Sequence, residues 1–99
     1  MGTRFFRASG QFQQVGTTRY LLIPTTTVTT IVMSTGYVGI RIYNSGSNTL
    51  IWGDTSISTN SGNFLFPASA HDFEEVNDNF SFSMIADSAN SLVSITEYK

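Results

Sequence analysis

The side chains that could do chemistry are few, and they gather in the second half of the chain. His71 is the only histidine, with Asp72 directly after it and Glu74 close by. A histidine beside carboxylates could form a carboxylate–histidine pair, and 13 serines make a Ser-His-Asp triad arithmetically available. No nucleophile elbow or comparable local signature accompanies them, so a surface or strand-end histidine is the plainer reading. Asp72, Glu74, Glu75 and Asp78 form the densest acidic group. Calcium prefers several oxygen ligands on a flexible loop, but the D-x-[DN]-x-[DN]-G order is missing. A solvated or arginine-paired face is expected there instead. With no cysteine in the chain, a disulfide, a thiolate metal site and a cysteine nucleophile are all excluded. We therefore expect no catalytic residue, no metal and no cofactor, and a protein that is not an enzyme.

Two other groups have binding chemistry. Tyr37, Tyr43 and Trp52 could form an aromatic platform for a sugar if neighbouring strands bring Tyr43 and Trp52 together. The competing expectation is that Trp52 is a core residue, since a large aromatic ring gains most from burial. Near the N-terminus, Arg4 and Arg7 flank Phe5 and Phe6, with Phe12 further on. Basic residues interleaved with aromatics can hold single-stranded nucleic acid, but two arginines on an acidic chain make a weak electrostatic footprint. A segment that docks on protein is the better reading, with Arg4, Phe5, Phe6, Arg7 and Phe12 as its contact residues. Neither nucleic acid nor a membrane is expected as a partner. Gly10 and Gly16 match no phosphate-binding loop.

The elements that must position these residues are strands. The chain has 99 residues, enough for one domain. Hydrophobic residues make up 40%, but charged ones only 12%, about half the usual share. Polarity comes from 13 Thr and 13 Ser; Thr favours strands through its branched Cβ, and Ser favours turns. A β surface this poor in charge invites association unless something covers it. The charge is also uneven. Residues 1–53 carry four arginines and no acid; residues 54–99 carry seven acids and Lys99. Either the fold interleaves the halves and cancels the asymmetry, or a basic N-terminal arm docks on an acidic surface of a neighbouring subunit.

Along the chain, residues 1–18 lack periodicity and read as an extended arm; residues 19–99 read as one β domain. Arg19–Ile23 is a short strand closed by Pro24, and Thr25–Met33 a second one. Tyr37–Asn44 alternates cleanly, with Val38, Ile40 and Ile42 on one side. Asn44–Asn48 has hairpin chemistry and predicts Thr49–Trp52 as the return strand. Phe64–Phe66, Ala70–Val76, Phe80–Met84 and Leu92–Tyr98 complete the set, with Ala86–Ser91 as a polar loop. About eight short strands, with turns every 8–12 residues or so, predict an all-β, single antiparallel β-sandwich, jelly-roll-like, with an extended N-terminal arm. No apolar run approaches the roughly 18 residues of a membrane helix. The start, Met1 to Arg7, has no apolar stretch suited to a signal peptide, so synthesis and solubility in the cytoplasm are expected.

From Gly36 onward the features fall in a familiar order. Gly36-Tyr37-Val38-Gly39-Ile40-Arg41-Ile42-Tyr43-Asn44 is a strand ending in Asn, and Asn48-Thr49-Leu50-Ile51-Trp52-Gly53 a strand ending in Gly. Ile57, Gly62, Leu65 and Pro67 follow, and Val93-Ser94-Ile95-Thr96-Glu97-Tyr98 closes the chain. Over residues 36–98 this resembles a group of small β-sandwich virion proteins of tailed bacteriophages. Their outline has Gly after the Pro, where this chain has Ala68. The resemblance implies a virion structural protein: a capsid decoration or stabilising subunit, or a head–tail accessory subunit. It would act by protein–protein contacts, as a homo-oligomer bound to other virion proteins such as the major capsid protein. The alternative is a carbohydrate- or receptor-binding module using Tyr43 and Trp52.

Overall fold

The computed structural model describes residues 15–74, 76–77 and 79–98. Among them are eight strands and no helix: β1 (Val15–Ile23), β2 (Thr29–Val32), β3 (Gly39–Asn44), β4 (Leu50–Gly53), β5 (Asn63–Leu65), β6 (Ala70–Phe73), β7 (Ser81–Ala86) and β8 (Ser91–Tyr98). They form two four-stranded sheets, ordered β1-β8-β3-β6 and β2-β7-β4-β5, with every pairing antiparallel. The first strand pairs with the last, the second with the seventh, the third with the sixth and the fourth with the fifth. That nesting, rolled into two sheets, is a jelly roll, and it bears out the expected β-sandwich.

Strand alternation builds the core. Ile40 and Ile42 of β3, Val93 and Ile95 of β8, Leu50 of β4, Phe82 and Met84 of β7 and Ile31 of β2 meet between the sheets. Each strand of this kind sends every second side chain inward. Fully burying such a side chain contributes about 1.5–3 kcal/mol, so this layer holds the two sheets together.

The strand after Asn44 does not return beside β3. β3 lies in the first sheet and β4 in the second, so residues 45–49 cross the sandwich instead of closing a hairpin. Asn44 is the reason. Fully buried, it donates from Nδ2 to Asn48 O (2.7 Å) and Leu65 O (2.9 Å), while its Oδ1 accepts from Gly46 N (3.0 Å) and Ser91 Oγ (3.1 Å). One amide thus ties the corner to both sheets. Gly46 lies so close to β8 that a Cβ there would overlap Ser91 Oγ and sit 2.6 Å from Leu92 N.

Other boundaries shift by a few residues. β1 begins at Val15, inside the stretch the sequence suggests as arm, with a register shift between Val15 and Thr17 that leaves Gly16 as a bulge. Ala86 and Ser91 belong to β7 and β8 and are buried, which shortens the loop between them to residues 87–90. After Pro67, Ala68 takes φ 63°, and Ser69 N bonds Phe66 O (3.0 Å). This is a turn with Pro at its second position and a left-handed third position, where glycine is favoured.

Candidate functional site

Among the described residues, the outer face of the first sheet carries four of the seven exposed large hydrophobic side chains. Because Ile23, Ile40, Ile42, Val93 and Ile95 point inward, the intervening residues point out. The strand register arranges them in rows. Thr18, Thr96, Arg41 and Asp72 lie side by side across four strands; Tyr20, Ser94, Tyr43 and Ala70 form the next row; Leu22 and Leu92 begin a third. Tyr20 and Leu22 are 63% and 62% exposed, with Tyr43 and Leu92 less so. Around them the polar groups are satisfied within the sheet. Thr18 Oγ1 and Thr96 Oγ1 lie 3.1 Å apart, as Ser45 Oγ and Ser94 Oγ lie 3.2 Å apart.

The charge on this face is neutralised locally. Arg41 donates from Nε to Asp72 Oδ1 and from Nη2 to Asp72 Oδ2 (2.7 Å), a bidentate pair. The side-chain hydrogen bond to Asp72 is the main cause holding the Arg41 guanidinium above its ordinary value, against the opposing effect of burial. A partner approaching here meets two tyrosines, two leucines and hydroxyls already bonded to one another. Such a surface suits contact with protein, since little charge has to be desolvated.

The outer face of the second sheet is different. Ile51 and Ile85 point outward from it, but the chain after β4 folds back over them, placing Ile57 between, with Val28 alongside. Ile51 is fully buried as a result. Gly62 makes this possible: φ is +143° there, and a Cβ would be 3.2 Å from Trp52 O and closer still to Ile51. At the margins, Val32, Phe64 and Phe66 stay exposed.

A third cluster lies between the sheets near β6. His71 is exposed and packs on half-buried Trp52, with ring centroids 4.6 Å apart and planes at 32°. Phe73 meets both rings edge-on, at 4.9 Å from Trp52 and 4.7 Å from His71. Beyond it Phe82 carries the stack into the core.

At the β1–β2 side of the sandwich, buried Glu97 accepts from Ser34 N (2.7 Å) and Ser34 Oγ (2.9 Å), with Arg19 Nη2 at 3.8 Å. Arg19 and Arg41, from the basic half of the sequence, thus both meet acids from the other half. For these two arginines the fold interleaves the charges.

The residues singled out from sequence are mostly not brought together. His71 points between the sheets, whereas the carboxylate of Asp72 is bound to Arg41 on the outer face, because neighbours in a strand face opposite ways. The two do not form a pair. Tyr43 and Trp52 lie in different sheets, Tyr43 facing outward and Trp52 inward, so they form no common platform. Arg4, Phe5, Phe6, Arg7 and Phe12 lie outside the described residues, as do Glu75 and Asp78. Among the described residues no three His, Asp or Glu side chains are grouped as metal ligands. Sequence reasoning missed Tyr20, Leu22 and Leu92, and strand parity was the signal: once Leu21, Ile23 and Val93 are core, their neighbours must face out. No family model, no curated protein and no solved structure matches the chain.

Proposed function

We propose that this protein is a non-catalytic building block of a virus-like particle, joining its neighbours through the outer face of the first sheet. The observation that carries the reading is the continuous, charge-neutral surface of Tyr20, Leu22, Leu92 and Tyr43. An exposed apolar patch beside satisfied polar groups is typical of a protein interaction site. The resemblance to virion proteins of tailed bacteriophages supports the choice of partner. So does the turn at Ala68, whose left-handed backbone is the one a glycine of the family outline would take. Jelly rolls serve as capsid domains and also as lectins, so the fold by itself does not choose between a structural and a sugar-binding role.

The test is to purify assembled particles from the cells that express this chain and count its copies in them. Many copies per particle are expected. A chain that stays monomeric by light scattering at about 50 μM, and does not bind particles lacking it, overturns the reading. The second reading, a glycan-binding module, draws on exposed His71 packed against Trp52. It predicts that a bound sugar changes Trp52 fluorescence; a glycan array without hits removes it.

A further inference from the structure

Each sheet ends in two edge strands, and among the described residues three of these four edges are blunted. β2 has four residues, and the carbonyl of Val32 accepts a hydrogen bond from Arg19 Nη2 (3.0 Å). β5 has three residues, with Pro67 just beyond. β6 has four, carries the charged Asp72 and is followed by Glu74. Short length, a capped carbonyl, proline and charge are the usual ways a protein stops its sheets from joining others. β1 is guarded only at its ends, by the bulge at Gly16 and by Pro24 just beyond Ile23. Between them, Thr18–Leu22 has no proline, and its one charged side chain, Arg19, turns inward to Val32 O and Glu97.

The free backbone groups of β1 can be identified. Val38 N bonds Tyr98 O, and Ser45 N bonds Leu92 O, so the even-numbered residues of β8 direct their backbone to the β3 side. Its odd-numbered residues then face β1, where their partners are Thr17, Arg19, Leu21 and Ile23. The N–H and C=O groups of Thr18, Tyr20 and Leu22 are left pointing away from the sheet.

We propose that β1 pairs with β1 of a second copy, antiparallel about a two-fold axis at Tyr20, merging two four-stranded sheets into one of eight. Thr18 then opposes the second copy's Leu22, Tyr20 opposes its counterpart, and about six main-chain hydrogen bonds form. The edge suits its own copy better than another partner. Thr18, Tyr20 and Leu22 are uncharged, and Thr and Tyr favour strands, so nothing repels at the axis, as a self-complementary two-fold contact requires. Among the described residues both arginines are paired with acids, Arg19 with Glu97 and Arg41 with Asp72, which gives an acidic or basic peptide little to grip there. The inference rests on the reading of the protein as an assembly module and names one of its contacts. Edge pairing with two tyrosines and two leucines lies toward the small end of specific interfaces, so a micromolar Kd is expected.

Sedimentation equilibrium of the full chain, from about 1 to 300 μM, should show a monomer–dimer transition. Hydrogen exchange should show the Thr18, Tyr20 and Leu22 amides slowing as concentration rises. Tyr20→Pro removes an outward N–H and leaves the β1–β8 bonds intact; it should keep the circular dichroism spectrum and weaken the dimer by about tenfold or more. Tyr20→Lys retains the N–H but sets two like charges at the axis, so it should weaken the dimer most at low salt. That variant decides alone if Tyr20→Pro fails to fold.

A wild-type chain that is monomeric throughout overturns the proposal. So do folded variants that dimerise like the wild type, or amides already protected in the monomer, which would show the edge covered by the chain itself. A monomeric chain that still joins particles would end this inference and leave the proposed function standing. A β1-paired dimer never found on particles would do the reverse.

Discussion

The two sheets treat their outer faces in opposite ways. The second sheet sends isoleucines outward and then covers them with its own chain: residues 54–62 fold back so that Ile57 closes over Ile51 and Ile85. The first sheet buries Tyr98 at one end of its outer face but sends Tyr20, Leu22, Leu92 and Tyr43 outward into solvent, with hydroxyl neighbours bonded among themselves. Apolar area on one face is spent on the stability of the monomer, while on the other it stays available for a second molecule. A protein with only 12% charged residues would otherwise be expected to defend both faces equally.

The sharpest way to break this comparison is to truncate one aliphatic residue on each face. Ile51→Ala should destabilise the domain by about 2–5 kcal/mol, because it opens a cavity under Ile57. Leu22→Ala should change monomer stability by no more than about 0.5 kcal/mol and weaken self-association instead. Equal losses in urea unfolding of the two variants would mean that the faces do not differ. A smaller effect is expected from the ion pair that neutralises the first face. Asp72→Asn should cost about 0.5–1 kcal/mol, since both partners are partly exposed and the geometry is bidentate. It would also leave Arg41 charged beside the tyrosines, which should make self-association depend more on salt.

The smallest effect concerns the segment that covers the second sheet. Asp54 accepts hydrogen bonds from Ser56 Oγ and Ser56 N, and these hold its carboxyl below the ordinary value of 3.8. A folded value below the unfolded one means that its contribution is complete above pH 3.8 and is lost as pH falls through the folded value. Nuclear magnetic resonance titration of Asp54 should show a midpoint under 3.8 that Ser56→Ala raises. A midpoint unmoved by that substitution would show that the turn does not hold the carboxylate.

Much of the fold was legible in the residues. The alternation of Ile40 and Ile42, and of Phe80, Phe82 and Met84, identified strands and their inward faces, because a strand's period of two is a local property; ahead of β3, however, Tyr37 and not Val38 packs against the core. The pairing of strands was not local. Asn44–Asn48 has the residues of a tight hairpin, but the buried amide of Asn44 binds Asn48, Leu65 and Ser91 and turns the chain into the other sheet. The candidate site was legible only in part. Its residues stood in plain view as an apolar run at Tyr20–Ile23, but exposure depends on which parity faces the core and on whether another segment covers it.

By itself, the sequence determined that this chain is built of short strands and roughly where each one lies, since turn residues and period-two alternation act over a few neighbours. It also determined how little charge any surface could carry. Only the tertiary structure decided which strands became edges, which outer face was covered and which arginine met which acid. Those outcomes depend on contacts between residues far apart in the chain, such as Ile51 with Ile57 and Ile85, Arg41 with Asp72, and Arg19 with Val32 and Glu97. Residue types favour such contacts without specifying them, because the burial that stabilises them exists only once the whole chain has closed.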